Sequence, residues 1–103
     1  MRKSFGSKYG NKKTVVDGIT FPSKKEASYY IYLKDLKKKG EIRDFERQVV
    51  YTFASGIKYV LDFRVTEKDG RLTHKDVKGV LTPVYRLKKK LMKHEFNIDI
   101  QEV

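Results

Sequence analysis

The sequence predicts an α/β fold, and three observations predict it. Apolar residues recur at helical spacing in two segments, alternate in the stretches between them, and are separated by turn or cap residues at each change. The chain of 103 residues has room for one core, and a domain of this size buries roughly two-thirds of the surface it exposes when unfolded. Hydrophobic residues make up 39% of it, with seven Tyr and six Phe carrying much of the core. Residues 13–103 are expected to form a single domain, preceded by a flexible basic arm over 1–12, MRKSFGSKYGNK, which has no periodicity and suits contact with phosphates.

The elements follow in order. Asp17-Gly18 is a hairpin turn between short strands at Thr14–Val16 and Ile19–Phe21. Ser23 opens a helix that runs to about Lys39 and stops at Gly40. Strands are expected over 45–53, where Val49, Tyr51 and Phe53 alternate, and over 57–66, where Ile57, Tyr59, Leu61, Phe63 and Val65 alternate. A third strand spans 71–79. Thr82 caps a second helix with Pro83 at its first position, Asn97 ends it after Phe96, and 98–103 is a last strand.

Composition narrows the function. Cysteine is absent, which excludes a disulfide scaffold, a zinc–cysteine site and a thiol nucleophile. There is no apolar run of a secretory signal or a membrane span, so a cytoplasmic protein with no membrane partner is expected. Lys and Arg number 24 against 13 Asp and Glu, a formal charge of +11, and a small basic domain commonly meets a polyanion such as DNA. A glycine-rich phosphate loop is missing, which disfavours nucleotide hydrolysis. His74 and His94 are the only histidines, and no Ser-His-Asp arrangement is suggested.

The carboxylates supply the sharper signal. His74, Asp76 and Lys78 share one face of their strand, and Val60, Asp62 and Arg64 share one face of the preceding strand. The loop between the strands decides whether Asp62 meets Asp76. A two-residue turn at Asp69-Gly70 sets Leu61 against Lys78 and Phe63 against Asp76, apolar against charged. A three-residue loop, Lys68-Asp69-Gly70, pairs Glu67 with Arg71, Leu61 with Val77 and Asp62 with Asp76. Gly70 suits the positive-φ position such a loop needs, and register follows the apolar pattern, so the second is expected. Like charges opposed across two strands destabilise them. A divalent cation or one raised carboxyl pKa would compensate, and Mg²⁺ favours one or two carboxylates with water and phosphate. The bland alternative is a solvated polar face with two unrelated aspartates.

Seven further residues carry two readings each. Ser23 and Glu26 form a capping box, yet Glu26 also lies in the inward stripe of Tyr29, Tyr30, Leu33 and Leu36, where an acid faces the sheet. Lys88 falls between Val84 and Met92 on the expected inward side of the second helix, with Leu87 and Leu91; its head either snorkels to solvent or reaches Asp76 and Lys78. Tyr85 is core or a phosphate contact. Arg86, Lys89, Lys90 and Lys93 face outward as a phosphate track or an ordinary solvated face.

The strings YVLDFRV and HKDVKGV resemble the D…(D/E)-x-K signature of the PD-(D/E)XK nuclease superfamily. More narrowly, YGNKKTVVDGITFPSKKEASYY, the later YVLDF, and DVKG followed by Thr82 and YRLKKK look like a small phage-encoded family within that superfamily, similar to Holliday junction resolvases. The resemblance covers nearly the whole chain from Tyr9. It implies a restriction-endonuclease-like αβββαβ core, a mixed central sheet flanked by two helices, and a Mg²⁺-dependent DNA endonuclease for which Mn²⁺ is an expected substitute. Glu26, Asp62 and Asp76 would hold the metal, joined by the Val77 carbonyl. Lys78 would orient the attacking water and stabilise the developing charge. Lys24, Lys25, Tyr85, Arg86, Lys88, Lys89, Lys90 and Lys93 would meet DNA, double-stranded or branched. A homodimer is expected of a symmetric junction cutter, acting in the host cytoplasm if phage-encoded. The residue before the motif aspartate is often Glu in that family; here it is Lys75, expected on the opposite face. A binding module that keeps the fold without catalysis is the alternative. A basic structural protein is a third class, and it predicts Asp62 and Asp76 far apart.

Overall fold

A computed structural model describes residues 13–78 and 80–103. The basic arm expected over 1–12, and Gly79 at the end of the expected third strand, lie outside the described residues. The chain divides after Asp35 into two compact units.

In the first unit, β1 (Thr14–Val16) and β2 (Ile19–Phe21) pair antiparallel through Asp17 and Gly18. Both turn residues have positive φ, 55° and 75°, as a two-residue turn matched to strand twist requires. The Asp17 carboxylate accepts from the Tyr30 hydroxyl at 2.9 Å and from Lys34, which ties this turn to α1 (Lys24–Lys38). Phe21 is fully buried and its ring lies 5.1 Å from that of Tyr30. The expected stripe on α1 holds: Glu26 and Leu33 are buried, and Tyr29, Tyr30 and Leu36 half-buried. The helix ends at Gly40, at φ 76°. There Gly40 N–H bonds to Lys37 O at 3.0 Å and Glu41 N–H to Leu36 O at 2.9 Å, a glycine-terminated Schellman motif that satisfies the last carbonyls.

The second unit holds a four-stranded sheet in the order β3 (Ile42–Thr52), β4 (Lys58–Glu67), β5 (Leu72–Asp76), β6 (Ile100–Glu102), with α2 (Pro83–Phe96) preceding β6. The first three strands are antiparallel and β6 pairs parallel to β5, so the sheet is mixed. The expected fold class is therefore observed. The β4–β5 register is the one the three-residue loop requires. Phe63 pairs with Lys75, Arg64 with His74 and Val65 with Thr73, while Glu67 N–H reaches Arg71 O at 2.7 Å. Gly70 sits at φ 94° and closes the loop onto Glu67 O at 2.9 Å.

The core of this unit joins the sheet to α2. Phe53, Tyr59, Leu61, Tyr85, Met92 and Ile100 are buried together, with Val49, Tyr51, Leu91 and Ile98 packed against them. Two expectations fail. Val84 and Leu87 do not face inward; they are 62% and 59% exposed, and Tyr85 takes their place beside Leu91 and Met92, which face inward as expected. Thr82 accepts from the Tyr85 N–H at 3.1 Å, which fixes the helix rotation at its first turn, and burying an aromatic ring outweighs burying Val84. Ile57 is 52% exposed because it belongs to the Phe53–Ile57 turn, closed by a 2.8 Å backbone bond, rather than to β4.

Candidate metal and phosphodiester site

The β4–β5 ladder ends at the Phe63–Lys75 pair. Continuing that register one step would oppose Asp62 and Asp76, but there the carboxylates replace backbone partners. Asp76 Oδ1 accepts from Asp62 N–H at 3.2 Å, and Asp62 Oδ2 accepts from Val77 N–H at 2.9 Å. Each aspartate thus caps the other strand's backbone, which holds both side chains in the gap where the strands part.

Asp76 is 1% exposed, and a buried charge needs donors. It has them on both oxygens. Besides Asp62 N–H, its Oδ2 accepts from the Tyr59 hydroxyl and lies 3.2 Å from Lys78 Nζ. These donors offset the repulsion between the two carboxylates. The Tyr59 pKa is pushed far above its ordinary value, first by burial and then by its bond to Asp76, so this hydroxyl remains a donor.

Lys78 is held from a second side. Its Nζ lies 4.1 Å from the centroid of the Tyr85 ring, a geometry in which a cation is attracted to the ring face. Tyr85 in turn donates its hydroxyl to Glu102 Oε2 at 2.7 Å, and Lys89 reaches the same oxygen at 2.5 Å. Burial and Glu102 raise the Tyr85 pKa well beyond its usual value; Lys89 and Tyr85 lower that of Glu102. β6 anchors the arrangement, because Asp76 pairs with Glu102 and its carbonyl accepts from Val103 N–H at 2.9 Å.

The expected metal-site residues belong to both units. Asp62, Asp76, Val77 and Lys78 form one cluster. Glu26 belongs to the first unit, where its N–H bonds to Ser23 Oγ at 3.1 Å as the capping reading expected; its side chain is 4% exposed. Among the described residues, no group of three His, Asp or Glu side chains is gathered to hold a metal. The donor set that fits a cation is therefore the Asp62–Asp76 pair. A carboxylate oxygen has two acceptor directions, so Asp76 Oδ1 keeps capacity beside its bond from Asp62 N–H. Two such acids with water suit Mg²⁺.

Among the residues expected to meet DNA, Lys24, Lys25, Arg86, Lys90 and Lys93 are exposed, and Lys88 is half-buried. Lys89 is tied to Glu102, and Lys93 to Asp99 at 3.1 Å. The outward track is thus partly neutralised. Tyr85 is 5% exposed, as the core reading expected, and its hydroxyl donates to Glu102 while its ring supports Lys78. Lys75 is directed away, to Gln101 of β6.

Tyr59 and Glu102 were missed in the sequence. Strand alternation assigns Tyr59 to the core face with Leu61, and only its length carries the hydroxyl to Asp76. The available signal was chemical: a buried tyrosine hydroxyl usually has a partner. Glu102 emerges only once β6 is known to lie parallel to β5.

The architecture defines an α/β protein with a mixed sheet and paired acids at a strand gap. The chain belongs to the family described as "Protein of unknown function (DUF1064)", whose model matches residues 6–102. No curated protein matches it. No helix among the described residues is long and apolar enough to cross a membrane.

Proposed function

We propose that the protein is a Mg²⁺-dependent endonuclease hydrolysing DNA phosphodiester bonds at Asp62, Asp76 and Lys78. The observation that carries this reading is the mutual capping of Asp62 and Asp76 beside Lys78. It holds two acids and a cation together at the end of a strand ladder, where a basic structural protein would leave the aspartates apart. The formal charge of +11 supports a polyanionic substrate.

Asp62 and Asp76, with the Val77 carbonyl, would hold the metal. When bound, Mg²⁺ polarises a phosphate and lowers the pKa of coordinated water. The chain's own residues do the rest. Lys78, clamped between Asp76 and the Tyr85 ring, keeps a positive charge fixed where negative charge grows, so no reorganisation is needed as the bond breaks. Tyr59 holds Asp76 in one orientation. Glu26 remains a candidate third acid on the sequence resemblance alone. Branched DNA such as a four-way junction, and with it a homodimer, is proposed as substrate by the same resemblance.

A second reading, a nucleic-acid-binding module without catalysis, has one observation in its favour. Asp76 already spends both oxygens on protein donors, and the described residues gather no third acid around the pair. The two readings separate in one comparison: wild type, Asp76→Ala and Lys78→Ala on linear, flapped and four-way DNA, with Mg²⁺ and with EDTA. Cleavage by wild type in Mg²⁺ alone, lost in both variants, is the expected result. DNA binding without cleavage under any metal would establish the second reading, and cleavage retained by both variants would move the site elsewhere.

A further inference from the structure

A cleft of about 310 Å³ opens beside Lys78, between the start of β4 and the first turns of α2. Its walls include Lys58, Val60, Lys78, Val84, Tyr85 and Lys88. We infer that this cleft is a subsite for one phosphodiester unit of a nucleic-acid strand, adjacent to the bond attacked at Asp62 and Asp76. The inference rests on the proposed hydrolytic site and deepens it by naming the ligand class that its flank takes.

The charge distribution is the first argument. Lys58 of β4, Lys78 just after β5 and Lys88 of α2 line one concavity; among the described residues only Lys78 of the three has a carboxylate beside it, Asp76, so the like charges repel unless an anion arrives. The protein neutralises comparable lysines elsewhere. On α2 itself Lys89 meets Glu102 and Lys93 meets Asp99, and on α1 Lys37 meets Asp44. Among the described residues, Lys58 and Lys88 meet no carboxylate. On α2, Arg86 and Lys90 also meet no carboxylate among the described residues but are exposed to solvent, whereas Lys88 is half-buried and lines the cleft, where it is left to face an external anion.

The remaining walls fit a sugar-phosphate unit rather than a bare anion. Val60 and Val84 are 44% and 62% exposed, and they flank the cations with apolar surface. A nucleotide presents an anionic phosphate next to apolar sugar and base faces. The volume is at the small end of cavities that accept organic ligands, enough for a single unit of a strand. Position supplies the last argument. Lys78 belongs both to this cleft and, at 3.2 Å, to Asp76, so a strand with one phosphate at the aspartates would place its neighbour towards Lys58 and Lys88.

The test measures binding of a fluorescent single-stranded oligonucleotide in EDTA, where hydrolysis cannot interfere, across a salt series. Wild type, Lys58→Ala, Lys88→Ala, the double variant and Lys88→Arg are compared, with thermal unfolding checking that each is folded. Each lysine that meets a phosphate contributes about 0.7 to the log–log salt slope on single strands. The double variant should therefore lose about 1.4 of slope, while Lys88→Arg retains the wild-type slope. An oligonucleotide series with one uncharged methylphosphonate linkage moved along the strand should show a sensitive position for wild type that disappears in the double variant. Free phosphate and poly-glutamate should compete only weakly. An unchanged slope in the double variant, the same methylphosphonate sensitivity in both proteins, or equal competition by poly-glutamate would overturn the subsite. Failure of hydrolysis is read separately: binding through the cleft with no cleavage in Mg²⁺ would remove the nuclease reading and leave the subsite standing.

Discussion

The two ends of the β4–β5 hairpin solve the same electrostatic problem differently. At the turn end Glu67, Asp69 and Arg71 each have an opposite or neutral partner. Arg71 meets Asp69 at 3.0 Å, and Thr73 donates to Glu67 at 2.6 Å. The turn aspartate and arginine are both exposed, and such pairs contribute little to stability. At the open end two carboxylates are brought together, one of them buried, and are compensated by two backbone N–H groups, a tyrosine hydroxyl and a lysine. Stability alone does not call for like charges there. Local cost retained in an ordered structure is a mark of function, so the open end is where substitution should damage activity without damaging the fold.

The largest effect should come from Asp62→Asn. The asparagine carbonyl can still accept from Val77 N–H, and one negative charge is gone. Cleavage should fall on the order of 10²–10³-fold, as for loss of one fixed electrostatic contributor, while the thermal midpoint stays level or rises. A midpoint that falls together with activity would make the carboxylate pair structural.

Next is the clamp on Lys78. Tyr85→Phe keeps the ring beneath the cation, whereas Tyr85→Leu removes it, and a desolvated cation–π contact is worth about 2 kcal/mol. Tyr85→Leu should therefore lower kcat roughly tenfold or more with little change in KM, and Tyr85→Phe should retain most of it. Equal losses in the two variants would assign the effect to the hydroxyl bond with Glu102 instead.

A smaller effect lies in His74, which pairs with Arg64 across the same strands. Burial, and then the Arg64 charge, lower its pKa from the usual 6.5. The unfolded chain therefore binds the His74 proton more readily than the folded one. Its contribution to stability is complete above about pH 6.5 and is lost as pH falls towards the lowered folded value. In metal-free buffer the urea midpoint should drop between pH 7.5 and 5.5, and drop less in His74→Gln; equal drops would remove His74 from the account. The smallest effect belongs to the turn end, where Asp69→Asn should shift stability by no more than about 0.5 kcal/mol and leave cleavage unchanged.

Much of this comparison was legible in the sequence, for physical reasons. Gly70 in a loop after Lys68-Asp69, together with apolar alternation in β4, admits only one register that keeps Leu61 and Phe63 from facing charges, and the structure has that register. Asn97 at φ 55°, Gly40 and the Asp17-Gly18 turn marked element ends because each needs positive φ. The rotation of α2 was not legible. Val84 and Leu87 compete with Tyr85 for the inward face they were expected to share with Leu91 and Met92, and periodicity cannot rank two overlapping stripes. The support around Lys78 was hidden for a related reason, since it depends on Tyr59, Tyr85 and Glu102, three residues far apart in the chain. Gln48 lies inside β3 between Arg47 and Val49, whose partners flank Asp62, and has φ 52°. No periodic pattern signals a residue held that way in a strand.

The central claim is that Asp62 and Asp76 form a divalent-cation site, and a direct titration of Mn²⁺ into wild type and Asp62→Asn tests it. Saturable binding by wild type that is lost or weakened at least tenfold in the variant is the predicted result; equal affinity in the two proteins, or no binding by wild type, would contradict it.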